Sequence, residues 1–289
     1  MWDSALTTIQ TLGLQESNTA LLCMPLRYIA GQMMLVRSFA GQLQLIAVAP
    51  TSHPYASLHE APDFAALTPM QVFETLKVPH ERSLLRRTLC IIIGGGVISP
   101  ALEKELATFP HPVYSTYGMT ETLSHIALRR LNGAQASDAY TPLTGVEVSL
   151  SDSGTLCIYA PHVNSQRLET NDMAELLPNG DFRILGRRDN VICSGGIKLQ
   201  IEQIEQKLSS LNVPLQITSL PHDSLGEAVT LLYEGEVNDS EALKELCRTL
   251  LDKYEVPRYV ICVEKLPLTE TGKPARAEAK MIAKKLFKR

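Results

Sequence analysis

The sequence has no CxxC pair and no clustered histidines: its six cysteines (Cys23, Cys90, Cys157, Cys193, Cys247 and Cys262) are scattered over 289 residues. Structural zinc and dithiol redox chemistry need ligands at short, fixed spacings, so both readings are excluded and reduced, mostly buried thiols are expected. The N-terminus, MWDSALTTIQTLGL, carries Asp3 and lacks a basic segment ahead of a long apolar run, so it does not resemble a signal peptide and none is expected there. No apolar run reaches the roughly 20 residues that span a bilayer, so no membrane insertion is expected and cytoplasmic residence is the default. Positive charge is also in short supply. With 27 Lys+Arg against 31 Asp+Glu the formal net charge is −4, which removes a global electrostatic case for nucleic acid or a membrane surface. Any polyanion must be held locally. There is no GxGxxG fingerprint and no internal repeat.

What is present is an ordinary globular composition, 45% hydrophobic and 20% charged, with 17 Gly and 17 Pro spread along the chain. The length fits about two domains of roughly 150 residues. A helical opening leads into the strand-like ALLCMP (20–25), a helical RYIAGQMMLVRSFAG (27–41), the strand-like QLIAVAP (44–50) and a helical PDFAALTPMQVFETL (62–76). RTLCIIIGGG (87–96) reads as strand and glycine turn. SPALEKELATF (99–109) reads as a helix with Ser99 as N-cap and Pro100 at its first position, and HPVYSTYG (111–118) as strand. This βαβ wiring predicts an α/β fold with a parallel sheet and ligands at the carboxyl ends of its strands. After about residue 135, alternating runs joined by SDSG and PNGD predict a small antiparallel β unit. From about residue 190 the pattern is helix (199–211), strands (215–221 and 227–236), helix (239–254), strand (258–267) and a basic C-terminal helix, which together make a compact α+β domain. The expected division is a large domain over 1–188 and a small one over 189–289, with the junction around Gly186 to Asn190.

Two segments carry candidate chemistry. Gly94, Gly95 and Gly96 end a strand and permit positive φ and close approach of a flat ligand, or form a plain structural turn. In STYGMTETLSH (115–125) a strand ends at an aromatic and a glycine before Thr120, Glu121 and Thr122 at an expected helix start. That terminus can hold a phosphate oxygen through Thr120 and a divalent cation through Glu121, or be a capped helix with a favourable acid in its first turn.

STYGMTETLSH, with TNDMAEL (170–176), ILGRRDNVICSGGIKLQIEQIE (184–205) and LPLTETGKPARAE (266–278) in that order downstream, resembles the adenylate-forming superfamily of acyl- and aryl-CoA ligases, luciferases and adenylation domains. PLRYIAG (25–31) extends the likeness to most of the chain. The resemblance implies ATP, Mg2+ and coenzyme A as substrates and cofactor, and a small C-terminal domain that rotates between two half-reactions. It implies an adenine pocket at Gly94 to Gly96 and Tyr117, phosphate and magnesium positions at Thr120 and Glu121, and ribose contacts at Asp172 and Arg187. It implies a hinge at Asp189, a pantetheine tunnel at Ser194, Gly195 and Gly196, and a lysine, Lys273, that bridges the substrate carboxylate and the α-phosphate. The C-terminal stretch from Lys273 carries seven Lys+Arg against Glu278, a solvated face or a contact to a CoA phosphate.

Within the superfamily, the combined motifs are most similar to the o-succinylbenzoate:CoA ligases of menaquinone synthesis. The aryl carboxylate pocket that this implies draws on Ile29, Ala30, Gly31, Ser115, Thr116, Gly118 and His125, small residues giving room for a ring and hydroxyls orienting carboxylates. His125 reads equally as a pocket residue or a satisfied helix histidine. Arg27 and Tyr28 replace the superfamily's usual aromatic and histidine. Nothing between Met1 and Met24 resembles its phosphate loop, so the sequence predicts a chain truncated there and leaves ATP activation by it open. Loading of a carrier protein and a non-catalytic adenylate-binding role are the alternatives, and a homodimer is compatible with the sequence.

Overall fold

The computed structural model describes residues 1–211, 213–236, 240–269 and 272–287. Asp239 at the start of an expected helix, Glu270 and Thr271 of the TETGKPA motif, and Lys288 and Arg289 of the basic tail lie outside the described residues. The chain divides into two compact units, one made of Met1–Thr170 and Glu175–Arg183, the other of Asn171–Ala174 and Ile184–Arg289.

The first unit is built on a sheet of seven strands: β1 (Thr19–Leu22), β2 (Gln44–Ala47), β3 (Phe64–Leu67), β4 (Cys90–Ile93), β5 (Val113–Gly118), β6 (His125–Arg130) and β7 (Thr141–Pro142). Their order is β2-β1-β3-β4-β5-β6-β7. Pairing is parallel from β2 to β5 and antiparallel from β5 to β7. Helices α1 (Trp2–Leu12), α2 (Ile29–Gly41), α3 (Pro69–Lys77), α4 (Pro79–Arg87) and α5 (Pro100–Leu106) connect the strands. The central strands are short unbroken apolar runs because both faces are covered. Leu21, Ala65, Leu67, Ile91 and Ile93 enter one core, and Ala20, Leu22, Phe64, Ala66, Cys90 and Ile92 enter another with Met34 of α2.

Two expectations are corrected here. Residues 62–76 are not one helix: FAAL is the fully buried strand β3, and α3 starts only after Thr68. Thr68 caps it reciprocally with Gln71, accepting from Gln71 N at 3.2 Å while Gln71 Oε1 accepts from Thr68 N at 3.0 Å. Periodicity could not separate a four-residue buried strand from the helix that follows it. The helix expected at 120–122 is a single 3-10 turn, Thr120–Thr122, after which the chain reverses into β6. Ser99 caps α5 as expected, accepting from Leu102 N at 3.2 Å.

Strands β8 (Glu147–Leu150), β9 (Thr155–Ala160), β10 (Asn164–Leu176) and β11 (Phe182–Arg187) form a second sheet in the order β11-β10-β9-β8. Strands β10 and β11 run out of the first unit into the second. The rest of the second unit comprises β12 (Val191–Ser194), β13 (Ile197–Gln200), α6 (Ile201–Lys207), β14 (Leu215–His222), β15 (Gly226–Glu234), α7 (Ser240–Leu250), β16 (Tyr259–Val263) and α8 (Arg276–Phe287). The hairpin β12–β13, antiparallel from Val191↔Gln200 to Ser194↔Ile197, stands where the sequence showed only a turn before a helix. One face of β15 packs Val229, Leu231 and Tyr233 against Ile204 of α6 and Leu243 and Cys247 of α7. The other packs Leu232 against Ala279 and Ala283 of α8. Arg276 of α8 grips Glu205 of α6 with two hydrogen bonds of 2.5 Å, a bidentate pair that fixes the helices relative to one another. No helix among the described residues is long and apolar enough to cross a membrane. All six cysteines are free, four of them buried and Cys193 exposed.

Candidate functional site

In the first unit the carboxyl ends of β4 and β5 meet. A Cβ on Gly94 would stand 2.3 Å from Thr116 Oγ1, which donates to Ile93 O at 3.3 Å, so only glycine lets the loop lie against β5. Gly95 follows with φ 78°, and Gly95 and Gly96 are exposed. Ser115 is buried, its hydroxyl 2.8 Å from that of Tyr140. Tyr117 sits 5.8 Å from the Tyr140 ring and 5.3 Å from the Phe182 ring. Each arrangement is one that aromatic quadrupoles favour and that fixes the Tyr117 ring plane. A Cβ on Gly118 would fall 2.4 Å from Ser124 O, so here too a missing side chain permits the close approach.

The turn between β5 and β6 is tied from inside by Thr122. Its hydroxyl accepts from Met119 N at 2.9 Å and lies 2.8 Å from Ser124 O, while the side chain is 1% exposed. Thr120 and Glu121 are left exposed on the outside of the knot. Leu123 has φ 60°, a conformation costly for a bulky residue and held only because its neighbours over-determine it. Among the described residues no three potential ligands cluster as a metal cage, and Glu121 is an exposed carboxylate next in the chain to the exposed Thr120. That suits a magnesium ion which keeps water and substrate phosphate oxygens as its other ligands.

Directly behind this turn lies a polar cluster in an apolar setting. Arg37 of α2 is 3% exposed, and among the described residues no acidic side chain pairs with it. Its Nη2 donates to Ser124 Oγ at 2.5 Å, its Nη1 to Met34 Sδ at 3.7 Å, and its Nε has no partner. Burial pushes its pKa down to about 10. His125 is buried on β6, with Nδ1 3.3 Å from Ser124 Oγ and Nε2 3.2 Å from Thr8 Oγ1 of α1. Burial, reinforced by the Arg37 charge, holds the imidazole well below its usual range, so it is neutral. His125 is therefore a strand residue, and the reading of it as a helix histidine is overturned because the chain reverses at Leu123.

Ile29, Ala30 and Gly31 form the first turn of α2. A Cβ on Gly31 would sit 2.6 Å from Pro25 O, so this glycine is required by the tight entry from β1. Arg37, Ser124, Thr8, Tyr140 and Phe182 escaped the sequence reading. Arg37 left one signal: it follows Met33 and Met34 on the apolar stripe of a helix whose surrounding segment, residues 25 to 42, contains no acid.

In the second unit Asp172 and Arg187 come together, Oδ1 to Nη1 3.7 Å, and Arg187 Nη2 lies 3.7 Å from Asp189 Oδ2. Ser194 is buried, while Gly195 and Gly196 take φ 58° and 82° in the β12–β13 turn. Gly195 N donates to Leu225 O at 2.8 Å. Lys273 is exposed on a separate turn before α8, its backbone N donating to Thr269 Oγ1 at 3.1 Å.

Residues 2–164, more than half of the chain, match the family model described as AMP-binding enzyme. The chain belongs to the AMP-binding enzyme family. A 2-succinylbenzoate–CoA ligase of Bacillus cereus is 26% identical over 323 residues, an alignment that covers 99% of this chain and 66% of the relative. One from Listeria monocytogenes is 26% identical, covering 96% and 64%. The chain thus spans just under two thirds of the length of these relatives. The crystal structure of an AMP-forming acyl-CoA synthetase/AMP-acid ligase II-like protein from Dyadobacter fermentans is 33% identical with a TM-score of 0.64, covering 96% of this chain and 82% of that one. The o-succinylbenzoate CoA synthetase of Bacillus subtilis, solved with its acyl-adenylate intermediate, is 22% identical over 96% of this chain and 64% of its own, and shares the fold at a TM-score of 0.80.

Proposed function

We propose that this AMP-binding family member serves an ATP-dependent acid:CoA ligase that forms an acyl-adenylate and then a thioester, with o-succinylbenzoate as the acid and menaquinone synthesis as the setting. The observation that carries the substrate class is Arg37, a buried guanidinium with an unused N–H and no acid partner beside the Thr120–Glu121 turn. A carboxylate that becomes an adenylate loses its charge. A permanent counter-charge in the acyl pocket therefore calls for a second carboxylate on the substrate, which o-succinylbenzoate has. The names of the Bacillus and Listeria relatives support the same acid.

In this reading the Gly94–Gly96 backbone and the fixed Tyr117 ring flank adenine, and Asp172 accepts from the ribose hydroxyls with Arg187 steadying it. Thr120 donates to a phosphate oxygen. Magnesium, held by Glu121, supplies neutralisation of phosphate charge when bound. Ser115, Thr116 and Gly118 border the acyl group with Ile29, Ala30, Gly31 and His125. Lys273 donates to the oxygens that gain charge as the adenylate forms, and the bare backbone of Gly195 and Gly196 leaves room for a thin pantetheine arm. Asp189, inside the 3-10 turn Arg188–Asn190, is the proposed hinge. A functional division into domains 1–188 and 189–289, which unlike the compact units counts Asn171–Ala174 and residues 184–188 with the first, and a cytoplasmic location, where ATP and CoA are found, belong to the same proposal.

Calorimetric titration tests it. The chain should bind the non-hydrolysable sulfamate analogue of o-succinylbenzoyl-adenylate, and Arg37→Gln should weaken that binding about 10- to 100-fold, the size of a lost charged hydrogen bond. The analogue of a mono-acid, benzoyl-adenylate, should bind both forms alike. Equal effects on the two ligands would overturn the dicarboxylate reading.

A further inference from the structure

The hydroxyl protons around Arg37 can be traced one by one. Thr8 has a single O–H, 2.9 Å from Ser4 O, the usual back-bond of a buried helical threonine. Its oxygen can then only accept from His125 Nε2, 3.2 Å away, so Nε2 must carry hydrogen. A neutral imidazole has one N–H, which leaves Nδ1 as a bare acceptor, 3.3 Å from Ser124 Oγ. Ser124 spends its proton there, and its oxygen accepts from Arg37 Nη2 at 2.5 Å. The chain of bonds runs one way: Arg37 to Ser124 to His125 Nδ1 at one end, His125 Nε2 to Thr8 to Ser4 O at the other.

We infer that Thr8 is a positioning residue that fixes His125 as the Nε2–H tautomer, so that Ser124 turns its lone pairs to Arg37 and holds the guanidinium for a deprotonated acidic tail in preference to a neutral one. The inference rests on the dicarboxylate reading above and deepens it. With the Ser124 proton committed to Nδ1 and its oxygen accepting from Nη2, the group of Arg37 left without a partner is Nε–H, a charged donor. If the tautomer reversed, Nδ1–H would take one of the two lone pairs of Ser124 Oγ and turn its hydroxyl proton out, so that the oxygen would be shared between His125 and Arg37. The guanidinium would then lose its fixed orientation and the pocket its one-way order. Thr8 bonds Ser4 O and His125 Nε2 and acts through His125.

Long-range proton–nitrogen NMR of the full chain reads the tautomer directly, with the His125 ring assigned by its disappearance in His125→Gln. Wild type and Thr8→Ser should show Nε2–H at pH 7, whereas Thr8→Val, which keeps the side-chain shape and removes the hydroxyl, should populate Nδ1–H. In titrations with the o-succinylbenzoyl sulfamate adenylate, Thr8→Val should bind about 5- to 30-fold more weakly and Thr8→Ser within about twofold of wild type. The analogue whose tail carboxylate is replaced by a carboxamide should lose little. An Nδ1–H or doubly protonated ring in wild type, an unchanged tautomer in Thr8→Val, or equal losses for both ligands would overturn the inference. Binding of neither ligand to wild type would instead sink the dicarboxylate reading, and the specificity role with it.

Discussion

At the scale of single residues, Arg37 and His125 set function against stability. A guanidinium without an acid partner costs the folded state its hydration, so replacing Arg37 with Met, similar in length and apolar, should raise the thermal midpoint, by about 1–3 kcal/mol in stability, while abolishing the preference for a dicarboxylate. A calorimetric scan beside a ligand titration checks both. His125 gives a pH signature. Its folded pKa is pushed well below 6.5, so in that interval the unfolded chain takes up a proton that the native chain refuses. Stability from this residue is whole above pH 6.5 and declines as pH falls beneath it. Between pH 7.5 and 5.5 wild type should lose more stability than His125→Gln; parallel curves for the two would mean the imidazole is not buried neutral.

At the scale of elements, the two ligand loops of the first unit are defined by where side chains are missing. The contact between Gly94 and Thr116 Oγ1 makes a paired prediction. Gly94→Ala should destabilise the β4 loop by about 1–3 kcal/mol, the cost of overpacking, and weaken AMP binding. Adding Thr116→Ala, which removes the Oγ1 that a new Cβ would strike and leaves the nearest other atom at 3.6 Å, should recover most of the stability. Failure of the second change to rescue the first would place the strain in the backbone rather than in that contact. Strand β3 shows how an element misleads locally: Phe64 to Leu67 would serve a helix equally well, and they extend only because β1 and β4 pair with them on either side.

At the scale of the whole molecule, the polypeptide passes between its two compact units along β10 and β11, and Lys273 and Glu121 belong to different units. The proposed mechanism requires the second unit to serve two half-reactions with different residues. Lys273→Ala should depress formation of acyl-adenylate about 10²- to 10³-fold, as for a transition-state charge contact. It should leave thioester formation from supplied acyl-adenylate within about twofold, because in the proposed mechanism the second unit reorients for that step and the leaving AMP is no longer served by this lysine. Pyrophosphate exchange measures the first step and CoA consumption the second; equal loss in both would make Lys273 a structural residue.

The sequence by itself determined the alternation of strands and helices except at β3, the hairpins at SDSG and PNGD, the cap at Ser99 and the α+β elements of the second unit. Each of these rests on interactions between residues close in the chain, or on a periodicity that one apolar face imposes. Only the tertiary structure decided that β3 is a strand, that the chain reverses after Thr122 instead of entering a helix, and that Arg37, Ser124, His125 and Thr8 converge. Strand β3 and the buried cluster depend on partners far along the chain, such as Phe64 with Cys90 and Thr8 with His125, 117 positions apart, and the reversal is settled when β6 pairs back onto β5. A local window holds no record of such a partner, and the free energy that selects it is gained only once the sheet has closed around both.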